Sequence, residues 1–154
     1  MSIFGEMDAE NIKSNPYFVE AGDYSAEVSD AKFQTTKDGQ RQIVIEYMIS
    51  ETNSQYYESR VKQFFNLVPA DMTNEKIALL PSDEQKAIRR SNSALKRTLC
   101  GNPANSSQKG LGVPASDLND KNWDPAVLKG TKVNIGVNNY GSDGVNVRWV
   151  NLDI

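Results

Sequence analysis

The chain has 154 residues, of which 38% are hydrophobic and 24% charged, and its net charge is -3. These values exclude a disordered chain and fit a single domain with its own core. No apolar run approaches the ~20 residues that a helix needs to cross a bilayer. The single cysteine, Cys100, excludes an internal disulfide. We therefore expect a soluble intracellular protein.

The first residues are acidic and weakly patterned. Four carboxylates against one lysine fall within 1–20, and Asn15-Pro16 favours a turn. This composition predicts an acidic N-terminal arm over 1–20, followed by one domain over 21–154.

Period-two alternation of apolar residues recurs three times between Gly22 and Leu67, which predicts three strands with one buried face each. In the first strand the apolar parity slips near Ser29, and this slip predicts a β-bulge. In the second strand Ile43, Ile45, Tyr47 and Ile49 share the buried face, and in the third we expect Tyr57, Val61, Phe65 and Leu67 to do so. Asp38-Gly39 predicts a hairpin between the first two strands.

A helix is predicted over 83–100, since Ser82 and Gln85 form a capping-box pattern and Gly101 closes the far end. Thr73 to Leu80 fits a short helical turn. The stretch 101–127 is rich in Asn, Ser, Gly and Pro, so it predicts a long irregular connection.

Alternation returns near the C-terminus and predicts two further strands. Val133, Ile135 and Val137 mark the fourth strand, and Val145, Val147 and Trp149 mark the fifth, with Trp149 expected to pack in the core. The predicted fold class is mainly β, with five antiparallel strands and one helix between strands three and four.

This order of elements, with a bent first strand, resembles the OB-fold, a five-stranded partly open barrel that binds oligonucleotides or oligosaccharides. Six segments are similar to a family of small phage-encoded OB-fold proteins. They are Ala21-Gly22-Asp23-Tyr24-Ser25-Ala26-Glu27-Val28, Thr36-Lys37-Asp38-Gly39, Ile43-Val44-Ile45-Glu46-Tyr47, Phe64-Phe65-Asn66-Leu67, Leu95-Lys96-Arg97-Thr98-Leu99 and Leu128-Lys129-Gly130-Thr131-Lys132-Val133.

The resemblance spans roughly Ala21 to Val150 and implies an OB-fold-like barrel that binds single-stranded DNA during phage replication or recombination. It further implies phage replication or recombination proteins as partners and the cytoplasm of the infected host as the location. The sequence leaves the oligomeric state open, a homo-oligomer included.

Binding of a single strand requires cations along the backbone path and exposed rings on which bases stack. The third strand alternates such residues on the face opposite its apolar set, and the two hairpins add others. The candidate contacts are Lys37, Arg41, Tyr56, Arg60, Lys62, Phe64, Tyr140 and Arg148. The competing interpretation is a packed Phe64 beside solvated cations.

Six basic residues and no acidic residue lie between Lys86 and Lys109. This run predicts either a local positive field that extends a backbone path or an ordinary solvated helix face. Trp123 fits either a plug or an exposed platform.

No histidine is present, which removes the usual general base, the imidazole-dependent triads and most zinc sites. Cys100 lies at a predicted helix C-terminus, where the helix dipole disfavours a thiolate. We therefore expect a protein without enzymatic activity, metal or cofactor. The alternative function is a protein-interaction or structural module, for example a phage adaptor or an acidic DNA mimic that inhibits a host factor.

Overall fold

The computed structural model describes residues 18–68, 72–102, 104–105, 108–120, 122–141 and 144–153. The predicted arm lies almost wholly outside these ranges. Val19, however, is fully buried, and its carbonyl accepts a hydrogen bond of 2.8 Å from the Asn139 side chain. The folded part of the chain therefore begins no later than Val19.

Five antiparallel strands form one sheet in the order β3-β2-β1-β4-β5. The strands are β1 (Gly22–Thr35), β2 (Arg41–Ile49), β3 (Arg60–Asn66), β4 (Lys132–Tyr140) and β5 (Gly144–Leu152). The prediction of a mainly β protein with five antiparallel strands is confirmed. The edge strands β3 and β5 approach each other but form no ladder within the described residues, so the sheet remains open.

The long central strand β1 pairs with β2 over Ala26–Thr35 and with β4 over Gly22–Glu27. Its register against β2 shifts between Val28 and Asp30, which confirms the predicted bulge. A bulge bends its strand and increases the local twist. The two halves of β1 therefore serve two different neighbours, and the sheet curves around its apolar face.

The core lies inside this curve. The four alternating apolar residues of β2 are at most 1% exposed, as their spacing predicts, and Val133, Ile135 and Val137 of β4 are buried beside them. The core also includes Leu99, from the long helix after β3, and Leu111 and Val113, from the connection that follows this helix.

Two helices follow β3: α1 (Asn74–Ala78), which lies where Thr73 to Leu80 predicted a short helical turn, and α2 (Ser82–Cys100). The predicted fold class counted only the second of them. The capping-box prediction was wrong, since Pro81 is the N-cap and no side chain caps α2. Gln85 instead donates through its side chain to the carbonyls of Ala78 and Leu80. No helix within the described residues is long and apolar enough to cross a membrane.

The connection 101–127 is more ordered than its composition predicts. It contains 3₁₀ turns at Ala115–Asn119 and Pro125–Leu128. Gly110, with φ +56°, lies against the carbonyls of Arg97 and Thr98, where an added Cβ would collide with backbone atoms. Leu111 then donates to the Thr98 carbonyl at 2.8 Å. The end of α2 is thereby fixed to the connection.

The third strand is shorter than predicted, because a turn-rich segment occupies 51–58. Glu58 has φ +66°, a left-handed conformation that interrupts the alternation before β3 begins. Tyr57 is consequently exposed rather than part of the core, while Ser59 is buried.

Tyr47 gives the fold a predicted dependence on alkaline pH. Its ring is fully buried, its hydroxyl donates to Gln63 Oε1 at 2.7 Å, and burial raises the pKa of the phenol well above its usual value. The folded state therefore retains a proton that the unfolded chain loses above about pH 10. The stabilisation from Tyr47 is complete below that pH and is lost above it, by up to about 1.4 kcal/mol per pH unit.

Urea unfolding of the wild type and of Tyr47→Phe between neutral pH and about pH 11 isolates this contribution. The difference in unfolding free energy between the two proteins is expected to stay constant below about pH 10 and then to shift in favour of the variant. Parallel curves at all pH values would contradict the assignment to Tyr47.

Candidate nucleic-acid interface

The outer face of β3 presents Arg60, Lys62 and Phe64, because Val61 and Phe65 point into the core. Phe64 is 53% exposed, so it is not the packed residue of the competing interpretation. Val44 of β2 is its cross-strand neighbour and is itself buried. The ring is thus supported from one side and open to solvent on the other.

Glu46 of β2 organises the charges of this face. It is 8% exposed, and its Oε1 atom lies 3.2 Å from Arg60 Nη1 and 2.9 Å from the Ser29 hydroxyl. Its Oε2 atom lies 4.0 Å from Lys62 Nζ. Arg60 is therefore held and partly neutralised by Glu46, whereas Lys62 is only loosely paired with it.

Between the edge strands lies a cleft of about 560 Å³, which we call the seam cleft. Its floor includes the core residues Phe65, Val147 and Val150, and one wall is the edge of α2 near Ala94 and Thr98. The size falls within the usual range for ligand sites of about 300–1,000 Å³.

The side chains of the seam cleft are basic, aromatic and amide. The cations are Lys62, Arg97 and Arg148; the partly exposed rings are Phe64, Tyr140 and Trp149; the amides are Gln63, Asn102, Gln108, Asn146 and Asn151. No carboxylate lies among its described lining residues. The local charge is thus positive on a chain whose net charge is negative.

Four of the eight candidate contacts meet in this cleft: Lys62, Phe64, Tyr140 and Arg148. Arg60 joins Lys62 and Phe64 around a smaller hollow on the other side of β3, which is also lined by Lys32 and Glu46. Lys37 and Arg41 are exposed at the β1–β2 hairpin and line neither space.

The spacing of Tyr56 from Arg60 predicted that both side chains lie on the same face of the third strand, and this prediction was wrong. It lies in the turn before β3, and its ring packs edge-to-face on Tyr24 with centroids 6.1 Å apart. Burial is the main cause that raises the pKa of Tyr56, and it raises the pKa of Tyr24 as well. The left-handed Glu58 separates Tyr56 from the alternation of β3.

Trp149 was expected in the core and lies instead on the outer face, 37% exposed. The β4–β5 register shifts between Gly136 and Val137, which inserts Arg148 as an extra residue between the positions opposite them. The indole then covers Gly136, where a Cβ would collide with it. The alternation of apolar residues along the sequence does not by itself reveal this bulge, although a glycine inside a strand is a signal for a bulge.

Trp123 is a half-buried plug, with its ring edge-to-face against Phe33 at 6.5 Å between centroids. Burial raises the pKa of Cys100; nearby Lys96 lowers it less strongly, and Asp117 adds a small further increase. A raised pKa disfavours the thiolate, the nucleophilic form. No group of three or more potential metal ligands occurs among the described residues.

No family model matches the chain, and no curated protein matches it.

The two tryptophans provide a test of the positive field. Trp149 lines the seam cleft beside three cations, and it also borders a smaller hollow lined by Asp23 and Glu51. The charged sequence neighbours of Trp123 are Asp120, Lys121 and Asp124. In Trp123→Phe, which retains Trp149, we expect iodide to quench fluorescence more strongly than caesium, and added salt to reduce the difference. In Trp149→Phe, the preference for iodide should disappear. Stronger quenching by caesium in Trp123→Phe would contradict a positive cleft.

Proposed function

We propose that this protein binds single-stranded DNA without catalysing a reaction, and that the seam cleft is the binding site. The observation that carries the proposal is the gathering of three cations and three partly exposed rings in one cleft whose described lining residues include no carboxylate. Cations neutralise phosphates, and bases stack on aromatic rings regardless of sequence.

The strand order supports the finer proposal of an OB-fold-like barrel. Five antiparallel strands with a bent β1 between β2 and β4 agree with a Greek-key barrel that is open between β3 and β5. In this interpretation the bound single-stranded DNA lies across β3 and β5. Action in phage replication or recombination, in the cytoplasm of the infected host, remains the biological setting that we propose from the sequence resemblance.

The geometry also suggests a separate role for the cations, the rings and the amides of the cleft. Lys62 and Arg148 stand on the two edges of the cleft and would bind phosphates on either side of it. Phe64, Tyr140 and Trp149 offer the stacking surfaces, and the amides can hydrogen-bond to base edges. Arg60 is secondary because Glu46 already holds it. The basic cleft argues against the alternative of an acidic DNA mimic.

Removing cleft cations tests the proposal. Lys62→Gln/Arg148→Gln is expected to weaken binding to labelled oligo-dT of about 30 nucleotides and to lower the salt slope of log K by about 1.4, since each single-strand phosphate contact contributes about 0.7. Fluorescence anisotropy at several salt concentrations measures both quantities.

The matched control is Lys76→Gln/Lys132→Gln, which removes the same charge at exposed positions that do not line the cleft. Equal loss in both double variants would assign the effect to net charge alone. Absence of oligo-dT binding by folded wild-type protein at low salt would refute the proposed function.

Phe64 tests the stacking contribution. Because half of its side chain is exposed, Phe64→Ala should retain the fold, which thermal unfolding checks. Loss of one stacked base costs about 1–3 kcal/mol, so affinity for oligo-dT should fall by about 5-fold to 150-fold. The salt slope should not change, since no phosphate contact is removed. A changed slope with unchanged affinity would contradict this role.

A further inference from the structure

Helix α2 carries the densest group of cations in the described chain. Lys86, Arg89, Arg90, Lys96 and Arg97 are all exposed, and no acidic residue follows Glu84 within the helix. None of the five forms an ion pair within the described residues. Only Lys86 has a carboxylate three or four residues away within the helix, Asp83, so repulsion among the other four cations is not offset by such a neighbour.

The five cations divide into two groups around the helix axis. Ala94 and Thr98 line the seam cleft together with Arg97 and lie about 60–100° from it on one side of the helix. At 3.6 residues per turn, Lys86, Arg90 and Arg97 lie within about 40° of one another. We call these three residues the α2 track. Arg89 and Lys96 lie about 80–100° from Arg97 in the opposite direction, away from the cleft.

The track is continuous with the seam cleft, because Arg97 belongs to both. From Arg97 the track runs toward the N-terminal end of α2, and it is about 16 Å long at 1.5 Å per residue. That length accommodates several phosphates of single-stranded DNA, since successive stacked nucleotides are about 3.4 Å apart.

We propose that the single strand bound in the seam cleft continues along α2, with its phosphates on Lys86 and Arg90. This inference rests on the proposed function, and it deepens it by assigning a second segment to the same site. The track has no aromatic residue, so it binds the phosphate backbone without stacking. Short strands fill the cleft alone, and longer strands gain affinity from the track.

A merely solvated helix face is the competing interpretation. Such faces commonly alternate the sign of charge, with Glu and Lys four residues apart. The spacing of Lys86 and Arg90 places two cations four residues apart instead. A solvated face also predicts no difference between the two sides of α2, which is the distinction that the experiment measures.

The helix supplies its own control. Lys86→Gln/Arg90→Gln removes the part of the track outside the cleft, and Arg89→Gln/Lys96→Gln removes the same charge from the side away from the cleft. Both variants leave every cleft residue unchanged. Circular dichroism and thermal unfolding verify the fold, and anisotropy titrations use labelled oligo-dT of about 8 and about 30 nucleotides.

For the long oligomer, we expect Lys86→Gln/Arg90→Gln to bind about tenfold more weakly than the wild type, with a salt slope lower by about 1.4. For the short oligomer, its affinity should change less than about twofold, because that strand is filled by the cleft. Arg89→Gln/Lys96→Gln should differ from the wild type by less than about twofold on both lengths.

The outcomes separate the two proposals. Binding of both oligomers by the wild type, with equal losses in the two double variants on the long oligomer, would overturn the track and leave the cleft intact. An equal loss on the short and long oligomers in Lys86→Gln/Arg90→Gln would also overturn it. A folded wild-type protein that binds neither length would overturn the proposed function itself.

Discussion

The register shift in β1 is the constraint on which the remaining structure depends. Without the bulge, β1 would pair with β2 and β4 in one nearly flat sheet. Val28 and Ala31 would then lie on opposite faces of the strand, and one of them would be exposed. With the extra residue, both stay buried while the strand bends. The bend turns β4 and β5 back toward β3. The seam cleft exists because of this approach between two edge strands that are distant in sequence.

Hydrogen bonds connect the bulge in β1 to the candidate site. Ser29 lies at the shift and contacts Glu46, which in turn holds Arg60. A buried carboxylate with these partners fixes the position of the cations on β3 and reduces the local positive charge on that side of the strand. On the side toward β5, no carboxylate occurs among the residues that the structure describes along the seam cleft. The two sides of β3 therefore differ in electrostatic character although they share Lys62 and Phe64.

Sequence patterns predicted those parts of the fold that depend on local parity. The alternation of β2, the bulge in β1 and the end of α2 at Gly101 all appear where their residues indicate. The errors arise where one left-handed residue or one β-bulge shifts the alternation of a strand, and no apolar residue in the sequence signals the shift. Glu58 detached Tyr56 from β3, and the bulge at Arg148 turned Trp149 outward. The seam cleft itself depends on tertiary approach, which spacing along the chain does not encode.

The open seam leaves the outer edges of β3 and β5 without a strand partner in the described structure, except that Gly110 bridges to Asn151 near the end of β5. Such edges are templates for pairing with another chain, and lysine or arginine beside them makes that pairing costly, because the charge would lose its water. Lys62 and Arg148 lie on these edges, so edge-to-edge pairing at β3 or β5 would have to desolvate their charges. An apolar substitution at either position would remove this barrier and leave the edge beside the seam cleft open to pairing with another chain.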